Sequence, residues 1–274
     1  MATQSMSRLR VNDVELFYEL TGEGEPVVLV HGSWGDHHGW DAIVPSLASS
    51  FKVLTYDRRG HSQSDRPASQ GFRREDEDDL ARLIEELELA PAHVAGNSFG
   101  ASITLGLVAR RPELFRSLIA HEPPLVALVA EDPDWLARLE PLQAVLRQIQ
   151  SGNPAGGAEQ FMDGIGVGRG AWEHFPPEVR DTCILNAPTF LDEQLDPSWA
   201  DIDRSVLSDL SCPALLTKGT ESLPYLLRIM EKLTDEMPQA EVGTIIGAGH
   251  IPHRTHPTEY LSVLVEFLLG VQAQ

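Results

Sequence analysis

The sequence predicts an α/β fold: a mostly parallel sheet flanked by helices, carrying one helical insertion. Three observations predict it. Short, wholly apolar runs of strand length alternate with stretches of helical periodicity, as in successive βαβ units. From about Leu125 to Leu210 that alternation lapses, and it resumes at Pro213. Between an apolar run and a helical pattern stands Gly96-Asn97-Ser98-Phe99-Gly100, a spacing that lifts a serine off a sharp strand-to-helix turn.

Each element can be justified in order. Arg8 to Tyr18 reads as a hairpin turning at Asn12-Asp13. Val27 to Val30 is a continuous apolar run, as a strand buried on both faces requires, and it stops at His31-Gly32-Ser33-Trp34-Gly35. Helical spacing resumes at Trp40, Ile43, Val44 and Leu47. Lys52 to Tyr56 is the next strand and ends in the polar loop Asp57-Arg58-Arg59-Gly60-His61-Ser62. Glu75 to Leu89 is an amphipathic helix whose acidic start, Glu75 to Asp79, suits the positive end of the helix dipole and is read as solvated. Ala92 to Ala95 is a strand, the helix after Ser98 ends at Arg110-Arg111-Pro112, and Ser117 to Ala120 is a strand ending at His121-Glu122-Pro123-Pro124.

In the insertion, Pro133 to Gln150 is predicted as one helix, Ser151 to Gly157 as a hinge-like stretch, and Pro176 to Leu191 as a helix broken near Pro188. Phe161 to Gly170 carries four glycines. Then come a strand at Pro213 to Thr217, a helix from about Leu223 to Met237, a strand at Glu241 to Ile246 and a last helix, Pro257 to Leu269, closed by Gly270. Residues 1–124 and 211–274 therefore form the core and 125–210 the insertion.

Composition narrows the function classes. The 274 residues are 42% hydrophobic, enough for a sizeable buried core. A net charge of −20 argues against nucleic acid and anionic membrane surfaces as partners. Cys183 and Cys212 stand far apart in sequence, outside any Cys-x-x-Cys, and read as free thiols. Met1 to Asn12 lacks the apolar centre of a signal peptide, and no run approaches the roughly 18 apolar residues of a membrane span. The expectation is a cytoplasmic protein, with a homodimer left open.

A serine is a weak nucleophile at neutral pH; it needs a base, and the base an orienting acid. His250, late in the chain and in the glycine-rich loop after a strand, fits the base. His253 and His256 follow at three-residue spacing, but Pro252 and Pro257 interrupt the helix that a metal site of that spacing needs, so no metal and no cofactor is expected. An acyl-transfer oxyanion needs two backbone N–H donors: Phe99 after the nucleophile, and Ser33 in the loop after Val30. The side chain of Trp34 is free to line the pocket, and among the aromatics of the insertion Trp172 is singled out as a second lining residue.

Together His31-Gly32, Asp57-Arg58-Arg59-Gly60-His61-Ser62, Gly96 to Gly100 and Gly249-His250 resemble the α/β-hydrolase superfamily, in its order and over nearly the whole chain. The resemblance implies an α/β-hydrolase fold with 125–210 as its cap, Ser98 as nucleophile, His250 as base, Ser33 and Phe99 as oxyanion donors, and Asp57 as a structural residue. The acid departs from the commonest pattern. Three residues after Gly219, where most relatives carry Asp, stands Ser222; Glu221 is one position away. Glu122, at the end of the strand after the elbow helix, is the other candidate, and His121-Glu122-Pro123-Pro124 resembles the zearalenone-lactonase branch, which places a Glu there. The resemblance implies a serine esterase or lactonase; if several aromatics of the insertion face the site, its pocket is apolar and the substrate a small, largely apolar ester or lactone. The alternatives are a C–C bond hydrolase of diketone ring-cleavage products, a cofactor-free perhydrolase, and a ligand receptor that keeps the pocket without turnover.

Overall fold

In the computed structural model, which describes residues 4–67 and 72–273, eight strands form one sheet in the order β1-β2-β4-β3-β5-β6-β7-β8. They are β1 Gln4–Val11, β2 Val14–Thr21, β3 Glu25–Val30, β4 Phe51–Tyr56, β5 Ala92–Asn97, β6 Phe115–His121, β7 Ala214–Gly219 and β8 Glu241–Ile245. The β1–β2 hairpin and the β2–β4 pair are antiparallel; every later pairing is parallel. Strand order reverses around β3, which pairs with both β4 and β5. Loops leaving the C-terminal ends of β3 and β5 therefore open a crevice there, where open α/β sheets bind ligands. Residues 1–3 of the N-terminal stretch lie outside the described residues.

The period-two alternation of each central strand divides the core into two layers. Val28, Val30, Leu54, Val94, Leu118 and Leu216 face one side, packing with the helices Arg73–Glu86, Phe99–Arg110 and Pro224–Glu236. Val27, Leu29, Val53, Ala95, Ile119 and Leu215 face the other, under Trp40, Ile43, Leu47 and the helix Pro257–Gln272. Val27 to Val30 expose no surface, as the unbroken apolar run predicts. Between β6 and β7 the chain forms helices and turns, with no strand among the described residues. No described helix is long and apolar enough to cross a membrane.

Several local expectations are corrected. The acidic start of the helix after β4 is not solvated: Asp76, Glu77 and Asp79 are buried, facing the guanidinium groups of Arg58, Arg73, Arg110 and Arg59. Planar, permanently charged guanidinium groups suit such burial better than lysine. The predicted helix 133–150 is two, Pro133–Leu136 and Leu139–Gln150. The hinge-like stretch is a turn followed by the helix Pro154–Phe161, whose Gly156 N–H is capped by the Asn153 side chain. Pro188 does not break its helix, which runs from Pro177 to Leu195; the Thr189 hydroxyl donates to Asn186 O and Asn186 is bonded to the core on both sides. Gly270 lies inside the last helix, where a side chain would meet open space. Pro252 starts a short helix, Pro252–Thr255, rather than preventing one, because proline is tolerated in a first turn.

Candidate active site

Ser98 sits between β5 and the helix Phe99–Arg110 with φ 56° and ψ −125°, a left-handed conformation that a non-glycine residue holds only under constraint. The flanking glycines make the turn possible. A Cβ on Gly96 would overlap the Gly100 carbonyl, and a Cβ on Gly100 would overlap the backbone of Val30 and His31. The Ser98 N–H donates to His121 O at 2.9 Å, tying the elbow to β6.

His250 follows β8. Its Nδ1 donates to Glu122 Oε2 at 2.7 Å, which leaves Nε2 of the neutral ring with its lone pair. The Asn97 amide donates to His250 O at 3.0 Å, so the residue before the serine also holds the histidine loop. Glu122 directly follows β6, fully buried, with φ 45°. Its Oε1 accepts from Gly219 N at 2.8 Å and from Ser222 Oγ at 2.5 Å. Burial works to raise this carboxyl, but the neighbouring His121, the hydrogen bond and electrostatic attraction of the His250 ring and the Ser222 hydroxyl outweigh it and hold it down at about 2. Of the two acids open in the sequence, the structure brings Glu122 to His250; the Glu221 carboxylate is exposed and takes the Thr220 hydroxyl.

Phe99 opens the elbow helix, so its N–H is among the donors a helix leaves without an internal partner. Ser33 stands opposite, lining both cavities that meet at Ser98 and His250. The outer cavity, about 100 Å³, includes Trp34, Phe161, Phe175, Val179, Thr182 and Cys183 in its wall and shares Val179, Thr182 and Arg254 with a wide surface groove. Burial pushes the Cys183 thiol up to about 12, so this free thiol is not poised to react. The inner cavity, about 40 Å³, lies under the helical segment, walled by Trp135, Leu142, Phe190, Trp199 and Tyr225.

Trp34 is buried, with its ring 5.0 Å from that of Phe161 and 4.7 Å from that of Phe190. Trp172 is a correction: it lines neither cavity at Ser98. Its ring packs 6.4 Å from that of Phe175 and its backbone N–H donates to Asp163 Oδ1, at the start of a helix that follows the left-handed Gly170. Three residues at the site escape sequence reasoning. Tyr225 follows Pro224 at a helix start, a position that does not announce a cavity wall. Glu193 and Arg58 look like surface charges, yet expose 2% and 0%. Their short bond under the Ser33 loop has no signature in local spacing.

Two clusters among the described residues bring potential metal ligands together: His121, Glu122 and His250; and Asp36, His37 and Asp57. In both, protein donors already occupy the carboxylates. Glu122 takes Gly219, Ser222 and His250. Asp57 takes His37 and Gln63, and Asp36 takes His38 and Ser62. The second cluster fixes the loops after β3 and β4. His253, read beside the metal spacing, packs on Trp40 at 4.4 Å between ring centres.

Comparison with known proteins agrees with this fold. A model of the alpha/beta hydrolase family matches residues 27–263. An uncharacterized hydrolase, YraK, of Bacillus subtilis is 35% identical over 159 residues, 57% of this chain and 51% of that protein, so the alignment spans about half the relative's length. A zearalenone hydrolase of Bionectria ochroleuca is 24% identical over 263 residues, 93% of this chain and 94% of that protein. The solved structure of a thermophilic esterase from Thermogutta terrifontis shares the fold, with a TM-score of 0.79 at 23% identity, covering 97% of this chain and 99% of that one. The family match begins in β3 and ends in the last helix, taking in every strand that carries a residue of this site; the chain belongs to the alpha/beta hydrolase family and is a hydrolase.

Proposed function

We propose that the protein cleaves carboxylic ester or lactone bonds of small, largely apolar molecules through an acyl-Ser98 intermediate. Ser98 Oγ attacks the carbonyl carbon while His250 Nε2 takes its proton. The N–H groups of Ser33 and Phe99 hold the oxyanion. Collapse breaks the bond to the alkoxide, which leaves with the proton from His250. Water then attacks the acyl-serine, giving its proton to His250, and the second collapse releases the acid and returns the proton to Ser98. Glu122 keeps the imidazole in the required tautomer and stabilises the imidazolium. The helical segment 125–210 acts as the cap that roofs both cavities.

The observation that carries this reading is the buried 2.7 Å bond from His250 to Glu122, with both Ser98 and His250 in the walls of the same two cavities. The inner wall supports the apolar preference: no Lys, Arg, Asp or Glu contributes to it among the described residues. That counts against the C–C hydrolase alternative, whose substrates are anionic. The names of the zearalenone hydrolase and the Thermogutta esterase fit the same class of bond.

The test is a short-chain p-nitrophenyl ester in a rapid-mixing experiment. Wild type is expected to show a burst followed by steady release, with Ser98→Ala at background. No release by wild type across a panel of esters and lactones overturns the reading.

A further inference from the structure

Glu193 lies on the helix Pro177–Leu195, 160 residues from the loop it contacts. Both its oxygens are engaged. Oε2 accepts from the Ser33 hydroxyl at 2.5 Å, and Oε1 accepts from Arg58 Nη2 at 2.5 Å. Arg58 is fully buried, and its guanidinium carbon lies 5.2 Å from the centre of the Phe99 ring. One ion pair thus touches both residues read as oxyanion donors.

The rest of the loop after β3 is held separately. The Arg58 N–H donates to His31 Nε2, so His31 carries its proton on Nδ1, which donates to Gly32 O. These bonds fix His31 and Gly32. Beyond them, the Ser33 side chain is anchored to Glu193. A carboxylate is an expensive anchor: burial pushes Glu193 up to about 7 against the charge of Arg58. Apolar residues of similar volume commonly stabilise such a position better than a buried ion pair.

We propose that Glu193 is a positioning residue for the oxyanion hole, holding the Ser33 hydroxyl so that the Ser33 N–H is aimed at the developing oxyanion. The helical segment then supplies a structural part of the transition-state site as well as a roof. The proposal rests on the ester-cleavage reading above.

The test compares wild type, Ser33→Ala, Glu193→Gln, Glu193→Leu and the double variant Ser33→Ala/Glu193→Leu on p-nitrophenyl acetate, with Ser98→Ala as the blank. Ser33→Ala keeps the backbone N–H and leaves the helix intact, so it reports even where Glu193→Leu fails to fold. Ser33→Ala and Glu193→Leu are expected to lower kcat by about 10- to 100-fold, the scale of a displaced oxyanion donor, with KM moving less than about threefold. Glu193→Gln, which keeps an acceptor for the hydroxyl, recovers part of the loss. The double variant is no worse than the poorer single, because both remove one interaction. Binding of an alkyl boronic acid, whose tetrahedral adduct on Ser98 uses the same donors, weakens in parallel. Ser33→Ala with kcat within twofold of an active wild type overturns this proposal and leaves the ester reading standing. So does Glu193→Leu acting through KM alone. A wild type that cleaves no ester overturns both.

Discussion

Ser222 donates its hydroxyl to Glu122 Oε1 at 2.5 Å. Ser222 occupies the position where the resemblance expects the acid itself, three residues after Gly219, and Gly219 contributes its own N–H to the same oxygen. The end of β7 and the turn after it thus cradle the carboxylate of the residue that follows β6. Glu122 Oε1 faces β7 and Oε2 faces His250, so the carboxylate bridges two chain segments 97 and 128 residues away.

Glu122→Gln is therefore expected to lower kcat on an active ester by about 10³-fold or more, since the amide cannot both keep the imidazole tautomer and balance its charge. Glu221→Gln, at an exposed side chain, stays within twofold. Steady-state kinetics on both variants checks the ranking.

Removing the Ser222 hydroxyl deprives a fully buried carboxylate of one donor. Ser222→Ala is expected to destabilise the fold by about 1–3 kcal/mol, measured as a lower urea midpoint. Ser222→Asp costs more, because two carboxylates at hydrogen-bond distance cannot both ionise.

Stability should depend on pH through Glu122. Its folded value of about 2 lies below the ordinary 4.5, so the folded state binds fewer protons there than the unfolded state. Its contribution is fully present above about pH 4.5 and is lost as pH falls toward 2. The stability gap between wild type and Glu122→Gln should narrow over that window in denaturation series run at fixed pH values.

The inner cavity is small and apolar, and Leu142 stands in its wall. Leu142→Trp is expected to lower kcat/KM on p-nitrophenyl hexanoate by about tenfold while acetate changes less than twofold, a discrimination of the size that pocket methylenes provide. A chain-length series on the variant checks it.

Much of this was legible in the residues. The apolar runs at β3 and β5 and the alternation around them placed the parallel sheet, because burial on both faces leaves a direct mark on composition. Ser98 and His250 stood out as candidates because glycines flank them. Long-range pairing was not legible. Glu75 to Asp79 looked like a solvated helix start because most of its arginine partners, Arg58, Arg59 and Arg110, come from other parts of the chain. Trp172 was misplaced because local sequence does not show which way a single ring turns; in the fold it packs on Phe175. Glu193 could not be read at all, since an isolated Glu in a helix has the same sequence signature buried or exposed.

The helix Pro177–Leu195 is not held to the sheet domain by apolar packing alone. Asn186 accepts from Ser62 N and donates to Gly35 O, and Asp196, just past its end, accepts from Arg73 N. Helices Leu139–Gln150 and Pro154–Phe161 instead meet their surroundings largely through side chains such as Val145, Ile149 and Ala158. Apolar contacts accept exchange of volume, whereas a directional polar seam does not. Engineering new substrate scope into this scaffold should accordingly draw its libraries from residues 139–161 and keep 186–196 constant.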